Sequence, residues 1–186
     1  MATRQLPDAE LLRKLLRYDP ETGKLYWLSR TPDMFIGGNA DAKARCKAWN
    51  TRYAGREAFT SRNNFGYPHG TVLDQSLVAH RVIWVIMTGR WPASMIDHIN
   101  GKPDDNRFVN LREATGSQNQ HNRGLAKNNT SGFKGVTWRK AEGKWRARIV
   151  VMRKEKSLGM FDTAEEAYAA FCAACEKYHG TYGRTK

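Results

Sequence analysis

Cysteine is scarce in this chain: three in 186 residues, an odd number and too few to staple a small secreted domain. Long apolar runs are missing as well. The longest cluster, Val82 to Met87, falls far short of the roughly 18 residues a membrane-spanning helix needs. Met1 to Gln5 carry none of the apolar character of a secretory signal, and neither an internal repeat nor a low-complexity tract is visible. These absences exclude a disulfide scaffold and a bilayer-spanning protein, and a soluble protein of a reducing cytoplasm is the expectation. Acidic side chains are the remaining shortage. Eighteen Asp and Glu face 31 Lys and Arg, a net charge of +13 and a pI near 9.9. That excess calls for a polyanionic partner, nucleic acid first and an anionic membrane surface second. Apolar residues at 40% suffice for a packed core, and the length allows one ordinary domain or two small ones.

The positive charge is not spread evenly. Residues 1–70 carry a net +5, residues 71–124 a net +1 and residues 125–186 a net +7. A nearly neutral centre between two basic flanks suits a reaction site that needs carboxylates, held between segments that grip phosphate.

The local patterns follow this division. Asp8 is placed to cap a helix presenting Leu11, Leu12, Leu15 and Leu16. Asp19-Pro20-Glu21-Thr22-Gly23 reads as a turn, with a strand over Lys24 to Leu28 behind it. Residues 30–70, rich in Gly, Asn and Arg, promise short strands at best. Ala79 to Thr88 reads as a helix stopped by Gly89 and Pro92. Gly124 to Gly132 has the composition of a linker. Beyond it, Phe133 to Arg139, Lys144 to Val151 and Lys154 to Phe161 read as three strands. A helix then starts at Asp162 to Glu166, with Thr163 and Glu166 spaced as a capping box, and ends near Gly180.

The candidate for chemistry lies in the neutral centre. Asp97 and His98 end a short apolar strand, Gly101 to Asn106 is turn-rich, Asn110-Leu111 begins a return segment, and Ser117 to Arg123 can form a helix. A carboxylate and an amide oxygen, from Asp97 and Asn119, are hard donors that favour Mg²⁺ or Mn²⁺ over Zn²⁺. A neutral histidine can deprotonate water, and a metal can offset the charge of a leaving oxygen, which are the two needs of phosphodiester hydrolysis.

Asp97-His98, Asn110 twelve positions after the histidine and Asn119 nine further resemble the HNH nuclease motif with its ββα-metal fold. His80-Arg81-Val82-Ile83-Trp84 and Asp104-Asp105-Asn106-Arg107 are similar to the phage-type HNH homing endonucleases in particular, as is the leader Leu15-Leu16-Arg17-Tyr18-Asp19-Pro20 with Gly23. The resemblance implies His98 as general base, Asn110 as its orienter, and Asp97 with Asn119 as metal ligands. Many such enzymes carry histidine where this chain has Asn119, and the amide form goes with single-metal nicking members. His121 and Asn122 stand open between a phosphate contact and helix capping, and Arg123 beside them joins the same set. His80 stands open between a structural and a catalytic role.

The third segment carries the densest charge. Nine basic residues within 133–156 face only Glu142 and Glu155. In the second strand Trp145, Ala147, Ile149 and Val151 alternate with Lys144, Arg146 and Arg148, so one face is apolar and the other cationic. Such a sheet can lie in a major groove, arginines toward guanine edges and lysines toward phosphates. Gly135-Val136, Gly143-Lys144-Trp145, Leu158-Gly159-Met160-Phe161 and Thr163 to Ala167 resemble the plant Apetala-type, ethylene-response DNA-binding domain. By this reading Lys134, Arg139, Lys144, Arg146, Arg148, Lys154 and Lys156 are the candidate DNA contacts. Cys172 and Cys175 fall mid-helix without a second pair and read as packing rather than zinc ligands. His69 and His179 read as surface or capping residues.

The expected fold is α+β, a ββα-metal nuclease core plus a small three-stranded antiparallel sheet packed on one helix. The expected organisation is a nuclease region over 1–124 (arm 1–70, core about 95–124), a linker over 125–131, and a sheet-type DNA-binding domain over 132–186. The expected activity is metal-dependent cleavage of a recognised duplex DNA, by nicking, with Mg²⁺ or Mn²⁺ as cofactor and no membrane partner. The expected setting is a bacterial host cytoplasm and a phage or mobile-element origin. The expected state is a monomer, with an oligomer of unknown size as the alternative. The competing expectations are a non-catalytic DNA-binding regulator with a relic nuclease core, and a nuclease acting on RNA or without sequence preference.

Overall fold

The structure, a computed structural model, describes residues 5–35 and 41–185. The leading residues 1–4 and the glycine-rich piece at 36–40 lie outside the described residues. The chain divides into two compact units, Met1–Glu113 and Ala114–Lys186.

In the first unit, helix α1 (Ala9–Leu15) begins where the Asp8 carboxylate accepts from the Leu11 N–H at 2.8 Å. Its apolar residues Leu12 and Leu15 are buried, and at Leu16 the chain extends into strand β1 (Leu16–Asp19). Strand β2 (Lys24–Trp27) returns antiparallel, with Leu16 opposite Trp27 and Asp19 opposite Lys24. The turn between them is closed by the Gly23 N–H donating to Asp19 O at 2.9 Å. A 3-10 turn (Pro32–Met34) leads toward helix α2 (Ala42–Tyr53).

This helix corrects the expectation of short strands alone over 30–70. It buries only Cys46, so it presents no apolar stripe for a periodicity argument to find. Asp41 caps it by accepting from the Ala44 N–H at 3.1 Å, and side chains fasten it elsewhere. Asn50 bonds both the N–H and the carbonyl of Arg30, and the Arg30 guanidinium lies 3.9 Å over the Trp49 ring. Trp49 in turn meets Trp27 edge-on at 5.7 Å.

Strand β3 (Glu57–Ala58) adds to β2, while β4 (Ser61–Arg62), β5 (Pro68–Val72) and β6 (Gln75–Val78) form a second antiparallel sheet. Helix α3 (Ala79–Thr88) follows as the sequence predicts, and ends on Gly89 in the left-handed conformation at φ 79°. Val82, Ile83 and Val85 on α3 are fully buried among Leu12, Leu15, Leu25 and Val72. This core underlies the hairpin of β7 (Met95–His98) and β8 (Leu111–Ala114), to which it contributes Ile96 and Leu111.

The second unit opens with α4 (Gly116–His121). Its N-terminus carries a full capping box between Thr115 and Gln118, and the helix starts one residue before the Ser117 read from the sequence and ends two before Arg123. Strands β9 (Val136–Arg139), β10 (Lys144–Val151) and β11 (Lys154–Phe161) form an antiparallel sheet with β10 central. Helix α5 (Ala164–His179) covers one face and has the Thr163/Glu166 capping box that the sequence predicts. Ala147 and Ile149 point into that core with Ala167, Phe171 and Cys175, and Arg148 and Val150 point out. Cys172 packs against the same cluster, and all three cysteines are free thiols. No helix among the described residues is long and apolar enough to cross a membrane.

Candidate active site

Three successive residues of β7, Ile96, Asp97 and His98, are buried. An apolar strand flanked by an apolar helix thus carries two ionisable side chains into low-dielectric surroundings, where each needs a partner. Asp97 finds one across the hairpin. The Arg112 guanidinium on β8 donates to its Oδ2 through Nε at 2.9 Å and Nη2 at 2.8 Å. Two donors of one guanidinium thus converge on a single carboxylate oxygen, a charge-assisted contact across the hairpin.

His98 is held differently. Its Nε2 meets the Oδ1 of Asn106 at 2.9 Å, and both residues are at least 96% buried. An amide oxygen only accepts, so Nε2 carries the proton and the lone pair lies on Nδ1. The Tyr67 ring stacks on the imidazole at 5.7 Å between centroids, and His80 closes on it edge-first at 5.2 Å. Burial pushes the His98 pKa below its ordinary value, against the Asn106 hydrogen bond and the Asp97 charge, which raise it. A neutral imidazole held in a fixed orientation is what a general base requires. Burial takes His80 further, to about 3, so it too is neutral.

The loop from Ile99 to Asn110 is a hydrogen-bonded frame. Asn110 accepts from the Asn100 N–H through Oδ1 at 3.0 Å, and its Nδ2 donates to Asn100 Oδ1 and to the Asp105 carbonyl. Its own carbonyl accepts from the Ile99 N–H at 2.9 Å. The amide of Asn110 therefore fixes the loop, while the amide that meets the His98 ring is that of Asn106. Asp105 braces the middle of the frame, accepting from Asn100 and from the Arg107 guanidinium. Arg107 beside it holds the Asp105 carboxyl well below the usual range, at about 2.

The N-terminal hairpin supports this loop from below. The Tyr18 hydroxyl accepts from the Phe108 N–H at 2.8 Å and donates to the Asn106 carbonyl at 3.2 Å. Gly23, at φ 72°, comes so close that a Cβ there would stand 2.6 Å from Arg107 N and 2.7 Å from Asn106 C. Neither Asn106 nor this support was assigned a role from the sequence, although both lie in stretches singled out as family-like. An amide recognised by residue type has no visible partner until the loop closes.

The other candidates lie in the second unit. Asn119 is on α4, and Asn122 is buried at that helix's C-cap, its N–H on the Gln118 carbonyl. The His121 ring stacks on His179 at 3.6 Å with 8° between planes. Burial, then the charges of His179 and Lys134, push the His121 pKa down. Lys134 is turned inward. Its ammonium donates to the carbonyls of His121, Arg123 and Arg184 at 2.7, 2.7 and 3.1 Å, which uses its three protons. Arg146 and Arg148 share Glu155, Lys144 reaches Asp162 at 3.2 Å, Arg139 reaches Glu142 at 3.6 Å and Lys156 meets the Tyr178 hydroxyl. The sheet's outer face is thus cationic but partly neutralised, and Lys154 is exposed on it.

Among the described residues no three His, Cys, Asp or Glu side chains cluster as a ready metal cage. A hard divalent ion fits the donors, because Mg²⁺ binds through one or two carboxylates and fills its other positions with water and phosphate oxygens.

The buried Asp97–His98 pair on one strand, the braced loop and the return strand all fall within one stretch of the chain. Residues 78–121 match the family described as HNH endonuclease, so this chain carries an HNH endonuclease-type domain, which implies DNA as the substrate. Over 106 residues it is 32% identical to Protein 3.8 of Escherichia phage T7, spanning 56% of this chain and 87% of that protein. The chain belongs to the family of that phage protein. No solved structure matches it.

Proposed function

We propose that the protein is a metal-dependent DNA endonuclease of the homing type that nicks a recognised duplex. The observation that carries this reading is His98: buried, neutral, with its proton held on Nε2 by Asn106, inside the HNH segment. Its Nδ1 takes the proton of the attacking water, and Asn106 with the ring walls of Tyr67 and His80 keeps the imidazole from turning. Asp97 supplies a carboxylate ligand for a divalent ion, Mg²⁺ or Mn²⁺, and the HNH resemblance assigns the second ligand to Asn119. Such an ion, when bound, offsets the charge of the scissile phosphate and its leaving oxygen. One His98 and one Asp97 per chain serve one strand at a time, which is the basis for nicking. The second unit, with the order of an Apetala-type domain, supplies duplex contacts from Arg139, Lys144, Arg146, Arg148, Lys154 and Lys156. Exposed ion pairs such as those of Arg146 and Arg148 are worth little, so phosphate can replace Glu155.

His98→Ala should lower cleavage of duplex DNA by about 10²–10⁴-fold, the range for loss of a general base, with DNA binding retained. Near-normal cleavage by that variant would remove the mechanism. The competing reading, a DNA-binding regulator with a relic core, draws on the Arg112 fork, which gives Asp97 a purely structural partner. Intact binding with no cleavage by the unaltered protein in Mg²⁺ or Mn²⁺ would select it.

A further inference from the structure

The second unit contains a groove of about 870 Å³ on the side where the segment after α4 runs past the start of the sheet. Its lining is Arg123 to Thr130 on one wall, and Lys134 to Thr137 with Arg148 on the other. Four of these side chains are cationic and none is acidic. Arg148 is neutralised by Glu155 and Lys134 is spent on carbonyls. Arg123 and Lys127 are exposed, and neither forms an ion pair among the described residues.

The walls are fixed rather than loose. Asn129 accepts from the Gly132 N–H at 2.7 Å and donates to the Phe133 carbonyl, and the Ser131 hydroxyl donates to the Val136 carbonyl. The Lys134 ammonium holds the Arg123 carbonyl at the groove's mouth. Gly135 sits at φ 74° against Phe171, where a Cβ would stand 2.3 Å from the ring, and its carbonyl accepts from the Arg148 N–H. A groove built this way keeps its shape before a ligand arrives.

Its chemistry selects the ligand. Absence of acid favours an anion, while Asn128, Thr130 and Thr137 offer neutral hydrogen bonds of the kind that reach phosphate and sugar oxygens. No aromatic side chain lines the groove, so the base-stacking platform of single-strand binders is lacking. We infer that this groove is a second DNA contact of the unit, gripping the sugar–phosphate backbone of duplex DNA through Arg123 and Lys127, beside the outer face of the sheet, with which it shares Arg148. The inference rests on the DNA reading of the protein and adds to it a surface that this reading does not require.

The test is a salt titration of binding, using the full chain, a duplex of arbitrary sequence and a chelator to prevent cutting. Arg123→Gln with Lys127→Gln should flatten the plot of log K against log salt by about 1.8, two phosphate contacts at about 0.9 each. Lys43→Gln with Lys47→Gln, which removes the same charge from exposed positions of α2, should leave the slope unchanged. Circular dichroism and melting of both variants should match the unaltered protein, since all four residues are exposed. An unchanged slope in the groove variant, with normal binding by the unaltered chain, would overturn the groove while leaving the DNA reading intact. Equal flattening by both pairs would also overturn it, by reducing the effect to net charge. Failure of the unaltered chain to bind duplex at low salt would overturn the DNA reading and the groove together.

Discussion

Replacing Gly23 by alanine tests whether the N-terminal hairpin holds the loop that carries Asn106. The glycine has φ 72°, and the added methyl would lie 2.6 and 2.7 Å from backbone atoms of Arg107 and Asn106. Backbone of a braced loop cannot rotate aside as a flexible side chain would. The left-handed conformation costs a residue with a Cβ about 1–2 kcal/mol, and forcing a methyl into filled space costs about 1–3 kcal/mol more. A loss of about 2–5 kcal/mol is therefore expected in urea unfolding of the full chain. If the loop yields instead, Asn106 moves away from His98, and a displacement near 1 Å at a reacting group can cost about 10²-fold in rate. Cleavage measured where the variant is still folded separates the two outcomes. Tyr18→Phe is the companion, leaving the Phe108 N–H and the Asn106 carbonyl without their hydroxyl, at about 1–3 kcal/mol. An unfolding midpoint and a cleavage rate both unchanged in Gly23→Ala would refute the proposed support.

Asp97→Asn should remove cleavage and raise the Mg²⁺ concentration needed for any residual rate. It should also destabilise the fold by about 3–5 kcal/mol, because it removes the charge opposite Arg112, itself only 15% exposed. Adding Arg112→Met should recover stability but not cleavage; recovery of both would show that Asp97 is structural only. His80 predicts acid lability. Its pKa is about 3 in the folded chain against an ordinary 6.5, so between these values the unfolded chain binds a proton that the folded chain refuses. Stability is then intact above pH 6.5 and falls below it by about 1.4 kcal/mol per pH unit from this group. Urea titrations at pH 7 and pH 5 should show the loss, and His80→Phe should reduce it.

Much of the architecture is visible in the sequence because one-sided burial leaves a period. Helix α3 and strand β10 each bury one face, and α1 and α5 begin on caps that can be read as letters. Helix α2 buries a single cysteine and is fastened by Asn50 and by rings, so nothing periodic marks it. In the site, Asp97 and His98 stand out by type and spacing. The partner of the His98 ring does not, since Asn106 and Asn110 are chemically identical and only the closed loop decides which amide faces the imidazole. Lys134 illustrates the same limit for charge. Counted among nine cations it reads as a phosphate contact, yet its neighbours in space are three carbonyls.

That lysine has a consequence for how the chain of the second unit can be reconnected. One ammonium gathers carbonyls from residues 121 and 123, near the beginning of the unit, and from residue 184, near its end, and the Arg184 N–H adds a bond to the His121 carbonyl. Entry and exit of the chain are therefore neighbours, tied at the first strand's approach. Units whose ends meet tolerate circular permutation and insertion into foreign loops. The unit is thus suited to having its ends joined and its chain opened at another loop, keeping its fold.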